Sequence, residues 1–231
     1  MNNPFFIDYK LPYDAVPFSK FKAEHFIPAV KKSIELAINR INQIVDNNDN
    51  PNFENTILAL ETSSEELGYV MSIYWHLFGS ESDKDLKALA EKIAPMGSKF
   101  QNDILLNPEL FNKIKTVYKN KENENLDDED IRLIDVTYKN FVRNGADLNE
   151  EDKEKIRTID QRLSLLSPKF SNNVLNAQNK YELWIENEKD LEGLPESSIT
   201  MAREEAKKKG QENKWLFTLQ YPSMGPFLNY A

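Results

Sequence analysis

Between Asn52 and Gly79 the chain reads NFENTILALETSSEELGYVMSIYWHLFG, and one seam runs through it. Phe53, Ile57, Leu60, Ser64, Leu67, Met71, Tyr74 and Phe78 follow one another in alternating steps of four and three. That alternation holds one face of an α-helix and no face of a strand. Asn52 stands before it as an N-cap and Gly79 after it as a C′ stop. At ~1.5 Å per residue the helix would be roughly 40 Å long. In its second half Val70, Ile73, Trp75 and Leu77 fall off the seam, so the helix is apolar almost all round. A helix of that kind is enclosed by others, and the pattern predicts the central rod of an all-helical domain.

The flanking pattern predicts more helices. Residues 1–21 carry three prolines and no period, and read as an extended arm docked through Phe5, Phe6, Tyr13, Phe18 and Phe21. A helix is expected from Glu24 to Asp46, with Pro28 near its start and Ile27, Val30, Ile34, Ile38 (or Ala37), Ile41 and Val45 as its buried stripe. Turn residues 46–51, DNNDNP, separate it from the rod, which is expected to run back antiparallel. Ser82 with Asp85 resembles a capping box opening a third helix through Leu86, Leu89, Ile93, Phe100 and Ile104, bent at Pro95. Asn107-Pro108 starts a short fourth helix with Leu110, Ile114 and Val117 inside. After the acidic loop of residues 120–130, a fifth carries Ile131, Ile134, Tyr138, Phe141 and Val142, closed by Asn144-Gly145. Asn149 caps a long sixth, with Ile156, Ile159, Leu163, Leu166, Phe170 and Val174 at helical spacing and a bend at Pro168.

From Tyr181 the period drops to two. Tyr181–Glu186 and Trp215–Leu219 read as short strands on either side of a helix from Pro195 to Lys209, stopped by Gly210. The expectation is a small βαβ unit with parallel strands. The fold class is therefore mainly α: a multi-helix antiparallel domain over residues 1–180, then the start of a small α/β subdomain over 181–231. Two strands make a marginal sheet, and the chain breaks off in PFLNYA, so the sequence reads as part of a longer protein.

Composition narrows the partners. A net charge of −9 disfavours nucleic acid and anionic membranes. The absence of cysteine excludes disulfides and thiol chemistry. No apolar run is long enough for a membrane span and no signal-peptide core is present, which suggests a cytoplasmic protein, or a periplasmic or secreted one if a signal peptide was removed.

Specific stretches carry a resemblance. NPFF, KAEHFIPAV, NFENTILALE, LFGSESDKDL, IAP (93–95), LNPELFNKIKTVY, FVRNGADL, LSLLSPKFSNNVL, LEGLPES and KWLFTLQYPSMGPFLNYA occur in family order over essentially the whole chain. The sequence resembles the N-terminal region of the M3 zinc metallopeptidases, in the bacterial peptidyl-dipeptidase and oligopeptidase A branch related to thimet oligopeptidase. The resemblance implies a helical half that walls a deep channel for short, unstructured peptides. It also implies zinc as cofactor, held in a separate catalytic domain by a His-Glu-x-x-His helix. No such motif occurs here, so no catalytic or metal residue transfers to this chain, and which residues would bind substrate is unknown from the sequence. The enzyme reading attaches to the parent protein, and the 231 residues alone are expected to be inactive. The competing reading is a self-sufficient helical module that binds partner helices or peptides.

Few residues are candidates for chemistry. His25, after Glu24, reads as a helix-start residue, and His76 as a buried or half-buried structural imidazole. Glu61 and Glu65, one turn apart, read as a solvated face rather than an acid/base pair. Tyr69, Tyr74, Trp75 and Phe78 could line a peptide groove, but their spacing places them in the core, Tyr69 nearest solvent. Lys207, Lys208 and Lys209 complement a helix C-terminus.

Overall fold

Nine helices and one pair of short strands make up the described part of the chain, residues 3–80 and 84–230 of a computed structural model. The chain forms two compact units, Met1–Leu165 and Leu166–Ala231. The first contains α1 (Ala23–Asp46), the rod from Phe53 to Ser80, α4 (Lys84–Leu105), α5 (Pro108–Asn120), α6 (Asp128–Arg143) and the first part of α7 (Glu150–Lys180). The second contains the rest of α7, β1 (Leu183–Ile185), α8 (Glu196–Lys208), β2 (Trp215–Phe217) and α9 (Tyr221–Tyr230).

The rod exists but is not one uniform helix. It enters as a π-helical turn, Phe53–Leu58, passes through α2 (Ala59–Glu61) and a 3-10 turn (Thr62–Ser64), and becomes regular in α3 (Glu65–Ser80). The N–H of Ala59 reaches back five residues to the carbonyl of Glu54. Asn52 caps the entry as expected. Its Oδ1 accepts from the Asn55 N–H at 2.9 Å, while Asn55 Oδ1 accepts from the Asn52 N–H at 3.0 Å. The wide π turn slows the rotation of side chains around the axis and the tight 3-10 turn speeds it again. The buried line consequently runs through Thr56, Ile57, Ser63, Leu67, Val70, Ile73 and Tyr74, whereas Leu60, Ser64, Met71 and Phe78 are only half-buried. Gly79 lies inside α3 rather than ending it, and the expected Ser82–Asp85 capping box involves a position outside the described residues.

α1 packs most closely on α3. Its buried face is Phe26, Ala29, Val30, Ser33, Ala37, Ile41 and Ile44. Of the two readings at the fourth stripe position, Ala37 is buried and Ile38 exposed. The small side chains of Ala29, Ser33 and Ala37 leave room for close approach. Arg40 then spans from α1 to the rod, donating from Nη1 to the Ser63 carbonyl at 3.1 Å and pairing bidentately with both Glu66 carboxylate oxygens at 2.5 Å. Of the arm's aromatics only Phe5 and Phe21 are buried, stacked with ring centroids 4.1 Å apart. Phe6 and Phe18 are partly exposed, and Tyr13, held at a positive φ of 58°, projects fully into solvent.

α5 and α6 follow their expected patterns. Asn107 Oδ1 caps α5 by accepting from the N–H groups of Glu109 and Leu110, and Leu110, Ile114 and Val117 are fully buried. Asp127 caps α6, Ile134 and Phe141 are buried, and Val142 is exposed. Gly145 follows at φ 94°, where a Cβ would stand 2.6 Å from Ile156 Cδ1, so only glycine fits the turn. Asn149 caps α7 through the Asp152 N–H. The stripe expected to be buried along α7 is not: Ile156 is half-buried, and Ile159, Leu163, Leu166, Phe170 and Val174 are exposed. Helical periodicity shows that a face is apolar; it does not show that these residues cover it.

In the second unit the strands pair antiparallel, with Leu183 opposite Phe217 and Ile185 opposite Trp215, against the parallel expectation. A simple strand–helix–strand crossover returns the chain parallel. Here a 3-10 turn, Glu188–Leu191, and Gly193 at φ 91° precede α8, so the connection is more than a simple crossover, and β2 pairs antiparallel. Leu191, Leu194, Ala202, Trp215 and Phe217 form the core, with the ring of Phe227 of α9 tilted against Phe217 at 4.8 Å. α9 itself was unexpected, because Pro222 and Pro226 mask its period; Pro222 lies in the first turn, where proline is tolerated. Among the described residues no helix is long and apolar enough to cross a membrane.

Leu67→Ala removes a buried core side chain and should cost ~2–5 kcal/mol, whereas exposed Glu65→Ala should stay within about 0.5 kcal/mol. Urea denaturation of both variants checks this, and equal losses would contradict the assignment of the rod to the core. A second expectation concerns pH. Hydrogen bonding to Arg40 holds the Glu66 carboxyl below its ordinary range. A depressed folded-state pKa contributes stability above the unfolded value of about 4.3 and loses it as pH falls through the lower folded value. Glu66→Gln should therefore be less stable than the parent near neutrality, and the gap should narrow in acid; a pH-independent gap would contradict it.

Candidate functional site

The residues that the sequence singles out as candidates for chemistry lie in separate settings. His25 closes the first turn of α1: its Nδ1 accepts from the Lys22 N–H at 3.1 Å, and its carbonyl accepts from Asn3 Nδ2 at 2.8 Å. This is the helix-start role its position suggests. His76 is exposed rather than buried, with its ring 5.6 Å from Phe18 of the arm. α3 is less enclosed toward its end than its apolar composition suggests, because the arm covers that side only in part. The two histidines sit in unrelated settings.

Glu61 and Glu65 are both exposed, and it is Glu66, the neighbour of Glu65, that engages Arg40. Tyr74 is fully buried; its hydroxyl donates to the Leu86 carbonyl at 2.9 Å, and burial pushes its pKa up to about 12. Trp75 and Phe78 pack edge-on at 5.3 Å beside it. Only Tyr69 is open to solvent, edge-on to Phe5. These aromatics form a core cluster and not a groove. In the second unit Lys207 and Lys208 pair with Glu204 and Glu205 one turn back, and Lys209 pairs with Glu182.

Electrostatics give no sign of a proton-transfer site. The displaced carboxylates among the described residues are all held below their ordinary range by neighbouring cations, as Asp135 is by Lys121 and Glu186 by Lys214. A general acid near neutrality needs the opposite displacement.

Two concave features stand out in the first unit. One, of about 460 Å³, lies between α4 and the start of α7 and is lined by Lys99, Asn102, Asp103, Glu154, Arg157 and Gln161, among others. Its charges satisfy one another: Lys99 meets Asp103 at 2.5 Å, and Arg157 lies 3.5 Å from Asp103 and 3.7 Å from Glu154. The other, of about 350 Å³, is bounded by Arg132, Val136, Lys139, Asn140 and Arg143 on α6. Sequence reading missed this cationic line. Its signal, basic residues at i, i+7 and i+11, is legible once the acidic first turn of α6 is set aside.

Comparison with known proteins decides the family. The N-terminal domain model of neurolysin and thimet oligopeptidase matches residues 27–153, more than half of the chain and wholly within the first unit. The chain belongs to this family. It is 34% identical to dipeptidyl carboxypeptidase of Escherichia coli over 226 residues, 98% of this chain and 33% of that protein. Against oligopeptidase A of Haemophilus influenzae it is 33% identical over 233 residues, covering 100% of this chain and 33% of that protein. Against the organellar oligopeptidase A of Arabidopsis thaliana it is 29% identical, covering 29% of that protein. The chain thus spans about a third of the length of the curated relatives it matches.

The zinc of this peptidase family finds no fitting donor set among the described residues. No three His, Asp or Glu side chains there stand close enough to share an ion, and His25 already spends its Nδ1 on a backbone N–H. After dialysis against a weak chelator the 231-residue chain should retain well under one zinc per molecule by elemental analysis. Stoichiometric retention would show a site that these residues do not account for.

Proposed function

We propose that the chain is the N-terminal, substrate-channel-forming part of a zinc-dependent oligopeptidase of the peptidyl-dipeptidase type, which hydrolyses short peptides. The observation that carries this reading is the match to an N-terminal domain model, combined with alignment of nearly the whole chain to about a third of peptidases twice as long again. On this reading the chain supplies shape. Its helices wall a channel too narrow for folded proteins, its partners are short unstructured peptides and the catalytic remainder of the same protein, and zinc is held by that remainder. A cytoplasmic location belongs to the same proposal.

Exposed apolar side chains support it. In the first unit Ile159 and Leu163 of α7 are 55% and 51% exposed, and in the second Phe170 is 70% exposed. A row of such residues on a helix marks a face that another surface covers, which a catalytic remainder would supply.

The test compares the 231-residue chain with the same reading frame extended to the full length of its relatives. The extended protein should cleave a short unstructured fluorogenic peptide and lose that activity to a chelator, while the 231-residue chain leaves it intact. Chelator-insensitive hydrolysis by the short chain, or no hydrolysis by the long one, would overturn the proposal.

A further inference from the structure

The cationic groove on α6 plays no part in the reading above and stands on its own observations. Arg132, Val136, Lys139, Asn140 and Arg143 follow one another at i, i+4, i+7, i+8 and i+11, which places them on one helix face, and all five are exposed. Among the described residues neither Arg132 nor Arg143 has an ion-pair partner, in a chain whose net charge is −9. Lys139 shares Asp135 at 3.6 Å with Lys121, which holds the other Asp135 oxygen at 2.5 Å. One carboxylate therefore serves two lysines at the edge of the groove. Asp128 and Glu129, in the first turn of α6, precede Arg132 and temper its field, but no acid lines the cavity itself. Asn140 Oδ1 accepts from Asn144 Nδ2 at 2.9 Å, which leaves the Asn140 NH₂ to donate.

Geometry chooses among anions. A phosphate group is gripped by cations converging on one point. Here, at ~1.5 Å per residue, the cations are strung out along the axis with gaps of ~10 Å and ~6 Å. Val136, 45% exposed, sits between the first two and offers an apolar contact. A polyproline-II segment advances ~3.1 Å per residue with three residues per turn, so every third side chain points the same way, ~9 Å apart. That spacing falls within reach of flexible Arg and Lys side chains. We infer that the α6 groove binds an extended acidic peptide segment carrying carboxylates on every third residue.

The experiment is fluorescence anisotropy of the 231-residue chain with a labelled Glu-Ala-Val-Glu-Ala-Ala-Glu peptide, its all-Gln counterpart and unlabelled tripolyphosphate as competitor. Saturable binding of the acidic peptide is expected, fading as salt shortens the reach of exposed charges. Arg132→Ala with Arg143→Ala should weaken it about tenfold, the loss of two exposed ion pairs. Arg132→Lys with Arg143→Lys should keep most of it, and Lys207→Ala with Lys208→Ala should leave it unchanged. Circular dichroism should show the same helicity in all variants, since these side chains are solvent-exposed. No saturable binding, equal binding of the Gln peptide, or insensitivity to the Arg→Ala pair would overturn the inference. So would tripolyphosphate displacing the probe at lower concentration than the unlabelled peptide does, which would make the groove a phosphate site.

Discussion

The Tyr74 hydroxyl must find an acceptor inside a core that excludes water, and the first unit is arranged to supply one. A buried hydroxyl without a partner costs several times what a made hydrogen bond contributes. Tyr74 meets this by donating to the Leu86 carbonyl on α4 at 2.9 Å. Its ring meanwhile lies edge-on to Phe26 of α1 at 5.4 Å and to its neighbour Trp75 at 4.9 Å. One side chain therefore fixes the separation of α1, α3 and α4 together. The small residues of α1 follow from that separation: larger side chains at Ala29 or Ala37 would hold the helices too far apart. Arg40 adds a second tie lower on the same pair of helices, where Glu66 and the Ser63 carbonyl share its guanidinium.

Helix starts were legible because they depend on local chemistry. Asn52, Asn107 and Asn149 each announce a helix from sequence, and each accepts a hydrogen bond from the N–H two or three residues on. The phase of a helix depends on its whole length, and there the sequence was a poorer guide. A 3.6-residue template puts Ser64 on the seam, whereas in the structure Ser63 is buried and Ser64 half-buried, because the π and 3-10 turns interrupt the regular phase. Strand pairing was harder still. Tyr181–Glu186 alternates in sequence, but Trp215, Leu216 and Phe217 are all buried, and no period encodes the antiparallel direction in which the two strands pair. The helix at Tyr221–Tyr230 was hidden by its own prolines.

α7 shows a different limit. Its apolar stripe from Ile156 to Val174 is regular enough to read as core, yet most of it faces solvent in this chain. Amphipathicity is a statement about what a helix requires, and it is silent on whether the covering surface lies within the same 231 residues. The two candidate histidines fail as a site for a related reason. Sequence can count His25 and His76, but only structure shows that one is occupied by a helix start and the other lies open beside Phe18.

The stretch that most strongly carries the family resemblance is also the one with the most constrained backbone. In NFENTILALE, Asn52 and Asn55 exchange side-chain hydrogen bonds, the Asn55 amide also donates to the Asn50 carbonyl, and the Phe53 N–H is held by Glu124 from beyond α5. Thr56 and Ile57 are then buried on consecutive positions, which a π turn allows more readily than an α turn. Each of these residues meets a demand of the fold. In this stretch the resemblance is thus carried by residues that hold the backbone in place.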